Sequence, residues 1–140
     1  MKIRGHEIKP GANLEGANLW NADLHHANLQ AANLQGAGLW NANLRSANLQ
    51  AANLQAANLW NADLHRANLQ GAGLYHAKLK GADLRDANLR SANLQGADLY
   101  HAKLKGADLR DAILSPDMIW KFSKQLSTAK NLDKIILRST

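Results

Sequence analysis

From Leu14 to Leu114 every fifth residue is leucine, and two residues before each leucine stands alanine. The run holds 21 unbroken copies of Ala-X-Leu-X-X, from Ala12/Leu14 to Ala112/Leu114. A short fixed period means one small unit stacked many times, which excludes most architectures at once. An α-helix advances about 100° per residue, so five residues overshoot one turn by about 140°. The leucines would then spiral around the axis and form no apolar stripe. A continuous strand fails as well, because its side chains alternate with period two. The observed apolar spacing of 2, 3, 2, 3 fits a short strand with Ala and Leu on one face, followed by a corner that resets the phase.

A second rhythm sets the number of corners. Trp20, Trp40 and Trp60 recur every 20 residues, as do Gln30, Gln50 and Gln70, Gln35 and Gln55, and Asn21, Asn41 and Asn61. Twenty residues are four pentapeptides, so each coil has four sides. Coils stacked at about 4.8 Å make the run of five and a quarter coils a rod of about 25 Å. The expected fold class is an all-β solenoid: a quadrilateral parallel β-helix of about five coils with a short α-helical C-terminal cap.

The repeat resembles the pentapeptide-repeat family, whose consensus is A(D/N)LXX. Asn or Asp precedes leucine in 16 of the 21 copies, the exceptions being Gly38, Gly73, Lys78, Lys103 and Ile113. The resemblance implies a right-handed quadrilateral β-helix, with the leucine and the small residue two before it turned inward and the other three outward. Phe, which the family also admits at the central position, never occurs there in this run, so the core should be unusually uniform.

The chain has 140 residues, enough for one domain. It divides into an N-terminal cap segment at 1–11, the repeat body at 12–114 and a helical cap at 115–140. Residues 1–11 are out of register: Ile3 and Ile8 are five apart, but the step to Leu14 is six. They read as a lid over the first coil, since an uncovered coil exposes leucines and strand edges that invite association. After the repeats, Ser115-Pro116-Asp117 has the form of a helix start, with Ser115 as N-cap. Met118, Ile119, Phe122 and Leu126 then share one helical face, and Leu132, Ile135 and Ile136 suggest a second, weaker helix. Trp120 lies off the first helix's apolar face, which leaves two readings: a cap on a monomer, or a dimer formed through the C-terminal helices.

With no cysteine there is no disulfide, thiol nucleophile or thiolate metal site. No apolar stretch approaches a membrane span, and the N-terminus lacks the apolar segment of a secretory signal, so the default expectation is a cytoplasmic protein without membrane contact. The net charge of +6 is mild and mixed, short of a dedicated nucleic-acid stripe. Residues 75–87 recur identically at 100–112, a shift of five sides that turns the copied outer residues by one face.

The core being uniform, specificity must lie in the outer columns. Trp20, Trp40, Trp60, Lys80 and Tyr100 fall in one column, where rings can stack and Lys80 can act as a cation–π partner. The column reads either as a self-stabilising ladder, as an aromatic hot-spot patch for a protein partner, or as a carbohydrate platform. Asn21, Asn41 and Asn61, with the Gln columns, read as amide ladders. His25, Arg45, His65, Arg85 and Lys105 form a basic column, which Asp23, Asp63 and Asp83 are placed to pair with His25, His65 and Arg85. His25 and His65 are two coils apart, about 10 Å, too far to share a metal ion. No catalytic grouping, phosphate loop or cofactor motif is present, and a solid Leu/Ala rod has no cavity for a small-molecule substrate.

These features point to a non-enzymatic scaffold for an as yet unidentified protein partner, with Trp120 as a candidate tail surface. The resemblance carries an alternative: characterised family members bind DNA gyrase as duplex mimics and protect it from quinolones. Mimicry needs an acidic rod, and this chain is basic. The inward position of alanine is itself testable. Ala62→Leu, in mid-rod, should overpack the core and cost about 1–3 kcal/mol; thermal melting at the wild-type temperature would show that Ala62 does not face inward.

Overall fold

The computed structural model describes residues 1–140. Its body is a four-sided parallel coil in which every layer sits on the next in a 20-residue register: Asn13 bridges Asn33, Asn18 bridges Gly38, Asp23 bridges Asn43 and Asn28 bridges Asn48, all parallel. The first face carries Leu14 to Leu114, the second Leu19 to Leu99, the third Leu24 to Leu104 and the fourth Leu29 to Leu109. The strands are shorter than the spacing suggested, one bridging residue per side through most of the rod.

Three backbone bonds per side tie the layers together. On the second face Asn58 N–H donates to the Ala37 carbonyl above (2.9 Å), while Leu59 and Asn61 donate to Lys78 and Lys80 below (2.8 and 3.0 Å). Each corner is closed by a tight turn, as when Ala62 N–H donates to the Leu59 carbonyl at 3.0 Å. All corner residues two after leucine, from Gly16 to Asp111, have φ between 53° and 75°. Positive φ at the third turn residue alone is the signature of a type II turn. That places Asn21, Asn41 and Asn61 in a left-handed conformation which asparagine tolerates well. Contrary to expectation, their amides make no hydrogen-bonded ladder.

The amide ladder runs instead through the residues before leucine. Asn88 donates to Asn68 (3.1 Å), Asn68 to Asn48 (3.4 Å) and Asn48 to Asn28 (3.3 Å). The same side chains accept the N–H of the residue two further on, as Asn58 does from Trp60 (3.2 Å) and Asp83 from Arg85 (3.1 Å). This N–H has no partner in the interlayer ladder, so a short side-chain acceptor at that spacing satisfies it locally. The Asn/Asp preference in the repeat has this structural cause.

The 21 repeat leucines and the alanine two residues before each are buried, forming one continuous core that Ile8, Met118, Phe122 and Leu126 extend at its ends. At roughly 1.5–3 kcal/mol per buried leucine, this column supplies most of the apolar stabilisation. The N-terminal segment is a hairpin of β1 (Lys2–Ile3) and β2 (His6–Glu7), turning through Arg4 and Gly5, both at positive φ. Ile8 is buried and Ile3 packs on the core.

The tail departs from its sequence reading in two ways. Helix α1 (Asp117–Lys121) and helix α2 (Ser123–Leu126) break at Phe122, and no side chain caps α1. The Ser115 hydroxyl instead accepts from Gly96 N–H at 3.1 Å, serving the edge of the last coil. Met118, Phe122 and Leu126 are buried as expected, but Ile119 stays partly exposed. The expected second helix is a 3-10 turn (Leu132–Lys134) followed by β4 (Ile136–Leu137), which pairs in parallel with β3 (Ile113–Leu114). Isoleucines at 135 and 136 satisfy a helical pattern and a strand equally well, and the open edge of β3 decides between them. Thr128, Lys130 and Lys134 carbonyls accept from Gly106, Leu109 and Asp111, so the tail continues the ladder as an irregular extra layer.

The corner conformation makes a paired prediction. Gly71 has φ of 67° and open space where a Cβ would stand, so Gly71→Ala tests conformation alone, while Ala51 holds the same corner one layer above at φ 57°. Gly71→Ala should destabilise and Ala51→Gly stabilise the rod, each by about 0.5–1 kcal/mol after the unfolded-chain entropy is offset against αL strain; denaturant midpoints moving in the same direction for both would contradict the turn assignment.

Candidate functional site

Backbone bonds from Asn21 to Trp40, Asn41 to Trp60, Asn61 to Lys80 and Gly81 to Tyr100 place the five column residues on successive layers of the second face. They do not behave as one ladder. Trp20 and Trp40 stack with centroids 5.8 Å apart and planes 8° from parallel. Gly38 makes room for this: an added Cβ would lie 2.8 Å from the Trp40 ring. The cation over the stack is Arg4 from the hairpin, 4.1 Å from the Trp20 centroid, and not Lys80. Sequence reasoning missed Arg4 because its approach depends on how the hairpin folds onto the first coil.

Trp60 lies outside the stack and is 48% exposed. Beside it Asn58, Lys78, Lys80 and Asp98 line a shallow depression of about 250 Å³. Tyr100, 51% exposed, closes the column by meeting Phe122 edge-to-face at 6.3 Å. The column is thus pinned at both ends by terminal segments and open in the middle. Trp120, on α1, is 74% exposed, consistent with its position off the apolar face of that helix.

The third face carries the basic column, and its charges are largely engaged. His25 Nδ1 lies 2.7 Å from Asp23, and Arg85 Nε donates to Asp83 at 2.8 Å. The expected Asp63–His65 side-chain pair is replaced: Asp63 lies 3.5 Å from Arg45 of the layer above, and His65 lies 3.5 Å from Asp86 of the layer below. Asp63 still accepts the His65 backbone N–H at 3.0 Å. The hydrogen bond from His25 lowers the Asp23 pKa, and that from Arg85 lowers the Asp83 pKa and raises that of the guanidinium. For Asp108, burial works against ionisation but is outweighed by bonds from the Arg110 backbone and Asn131, leaving its pKa lowered. No three His, Asp or Glu side chains converge as a metal site, and no helix is long and apolar enough to cross a membrane.

The repeat geometry has a counterpart among known proteins. The family model described as Pentapeptide repeats matches residues 11–45, 47–86 and 77–115, with 8 copies. The chain belongs to the pentapeptide-repeat family. Among solved structures it is similar to a pentapeptide repeat protein from the Arabidopsis thaliana thylakoid lumen, at 26% identity and TM-score 0.62 over 86% of this chain and 78% of that one. It is also similar to Rfr23 of the cyanobacterium Cyanothece 51142, at 44% identity and TM-score 0.42 over 65% of this chain and 58% of that one. A third is HetL of Nostoc sp. strain PCC 7120, at 34% identity and TM-score 0.32 over 91% of this chain and 67% of that one. Comparison with curated protein sequences gives no match. As in other pentapeptide-repeat proteins, the coil is a right-handed quadrilateral β-helix.

The Asp83–Arg85 pair gives a signed pH prediction. Because Asp83 titrates below its ordinary value of 3.8 in the folded chain, its contribution is complete above that value and is lost as pH falls through the folded pKa. Asp83→Asn keeps the backbone acceptor but not the charge, and should cost about 0.5–1 kcal/mol at pH 7. The difference from wild type should shrink below about pH 3.8 in melting experiments; a deficit that persists unchanged in acid would show that the ion pair is not its cause.

Proposed function

We propose that this pentapeptide-repeat protein is a rigid, non-catalytic scaffold that binds a protein partner through the open middle of the second face, centred on Trp60, Lys80 and Tyr100. The supporting observation is the half-exposed Trp60 indole, left unstacked while Trp20 and Trp40 hold each other. A large aromatic beside lysines and an acid has the make-up of an interface hot spot, in which one anchor carries much of the binding energy. Lys78, Lys80 and Asp98 around it supply both signs of charge for a partner's polar rim. In this reading Trp20 and Trp40 are structural, and residues 1–11 and 115–140 act as caps on the repeat body at 12–114. The non-catalytic assignment rests on an interior filled by leucine and alanine and on the engagement of Asp23, Asp63 and Asp83 by basic neighbours. Trp120 is the second proposed contact and the one suited to self-association through the tail.

Affinity capture from native extract tests the assignment. Trp60→Ala should lose a wild-type partner by about thirtyfold or more, the effect of a hot-spot residue worth ~2 kcal/mol, with unchanged melting. Trp20→Ala should lower stability and leave capture intact. Equal capture by wild type and Trp60→Ala would reject this face.

A further inference from the structure

We infer that the third face ends in a binding site for the phosphate group of a small soluble ester, formed by Lys103, Lys105 and Lys124. These three lysines and Arg85 line an open cleft of about 360 Å³ between the last coil and α2, with Gln125 and Thr128 on its far wall and no carboxylate in its lining. The volume suits a small ligand. The site is separate from the Trp60 face and does not depend on its having a partner.

The repeat register explains why donors collect here without acceptors. On this face Asp23, Asn43, Asp63 and Asp83 each give a side-chain oxygen to the N–H two residues on. In the next layer that position is Lys103, so the Lys105 N–H loses its acceptor and a positive charge replaces a negative or neutral one. The Leu24, Leu44, Leu64 and Leu84 N–H groups all donate to a carbonyl of the layer below. Leu104 has no such carbonyl, because the tail is helical there and resumes the ladder only at Gly106, whose N–H donates to Thr128. Asp83 is held by Arg85, and Asp86 lies 3.5 Å from His65. Ammonium groups and two free backbone N–H groups on residues lining one cleft match the several strong acceptor oxygens and double charge of a phosphate ester better than a single carboxylate.

The chain contains its own control. Lys78 and Lys80 belong to the first copy of the duplicated segment 75–87, and Lys103 and Lys105 to the second at 100–112. The first copy lies over a complete layer: Leu79 donates to the Asp98 carbonyl at 2.9 Å, and Asp98 lines the depression beside both lysines. The same residues therefore meet an acid in one place and an open edge in the other.

Titration with inorganic pyrophosphate, followed by amide resonances of the full chain, tests the site. Saturable shifts should centre on Leu104 and Lys105. Affinity should fall at least about tenfold, corresponding to ~1.4 kcal/mol, in the Lys103→Gln/Lys105→Gln/Lys124→Gln variant, and remain unchanged in Lys78→Gln/Lys80→Gln. Lys103→Asp, which rebuilds the acceptor found in the layers above, should abolish binding without lowering the melting temperature. Shifts spread equally over both lysine pairs, or surviving in the triple variant, would overturn the proposal. So would co-sedimentation with phosphatidylcholine vesicles containing phosphatidic acid in the absence of any pyrophosphate response, which would place the phosphate on a membrane surface instead.

Discussion

The interlayer backbone hydrogen bond is the interaction on which the rest of this molecule depends. Each side gives one N–H to the layer above and two to the layer below, at the fixed offset of one 20-residue coil. That offset brings leucine over leucine and alanine over alanine, so a sequence with a two-letter core buries a continuous apolar column. It also aligns each outer residue with its equivalents one coil away. Packing and display are consequences of a single register. The corners preserve it, because a type II turn at each one returns the chain to the next side in the same phase.

A ladder of this kind creates a problem at its ends, where donors and acceptors have no next layer. The chain answers by different means along the final edge. Ser115 supplies a hydroxyl for Gly96, carbonyls of the irregular tail serve Gly106, Leu109 and Asp111, and β4 pairs with β3. Between Gly96 and Gly106 the tail is helical, and the Leu99, His101 and Leu104 N–H groups are left without a protein acceptor. The edge is open where the duplicated lysines fall. The aromatic column responds to the ends in its own way: Arg4 covers Trp20 and Phe122 meets Tyr100, so the residue that neither terminus reaches, Trp60, is the exposed indole.

Much of this was legible in the residues, and the limits have physical reasons. Alanine and leucine at a period of five dictated an inward pair and a corner, and Trp20, Trp40 and Trp60 dictated four sides. The role of Asn and Asp before leucine was visible as a preference but not as a cause, since the N–H that needs them is identified only once the ladder is drawn. Asn21, Asn41 and Asn61 suggested stacked amides because a column of like residues says nothing about backbone conformation at a corner. The pairing of Asp63 with Arg45 crosses layers, where adjacency in sequence misleads. Ile136 and Leu137 could not be assigned to a strand from their own pattern, because the deciding partner is the exposed edge of β3. Within the candidate face, membership of the column was readable, but its division into a stacked pair and an open Trp60 depended on Gly38 and on the hairpin bringing Arg4 over Trp20.

The 20-residue ladder can be read directly by native-state hydrogen exchange resolved at single amides. The leucine amides of the body, Leu39, Leu59 and Leu79 on the second face and Leu44, Leu64 and Leu84 on the third, should be strongly protected, since each donates to the layer below. Leu99 and Leu104, identical in sequence position but lacking that layer, should exchange far faster, while Leu109, served by the tail, should again be slow. Protection of Leu99 and Leu104 equal to that of Leu59 and Leu64 would contradict the ladder and the open edge derived from it.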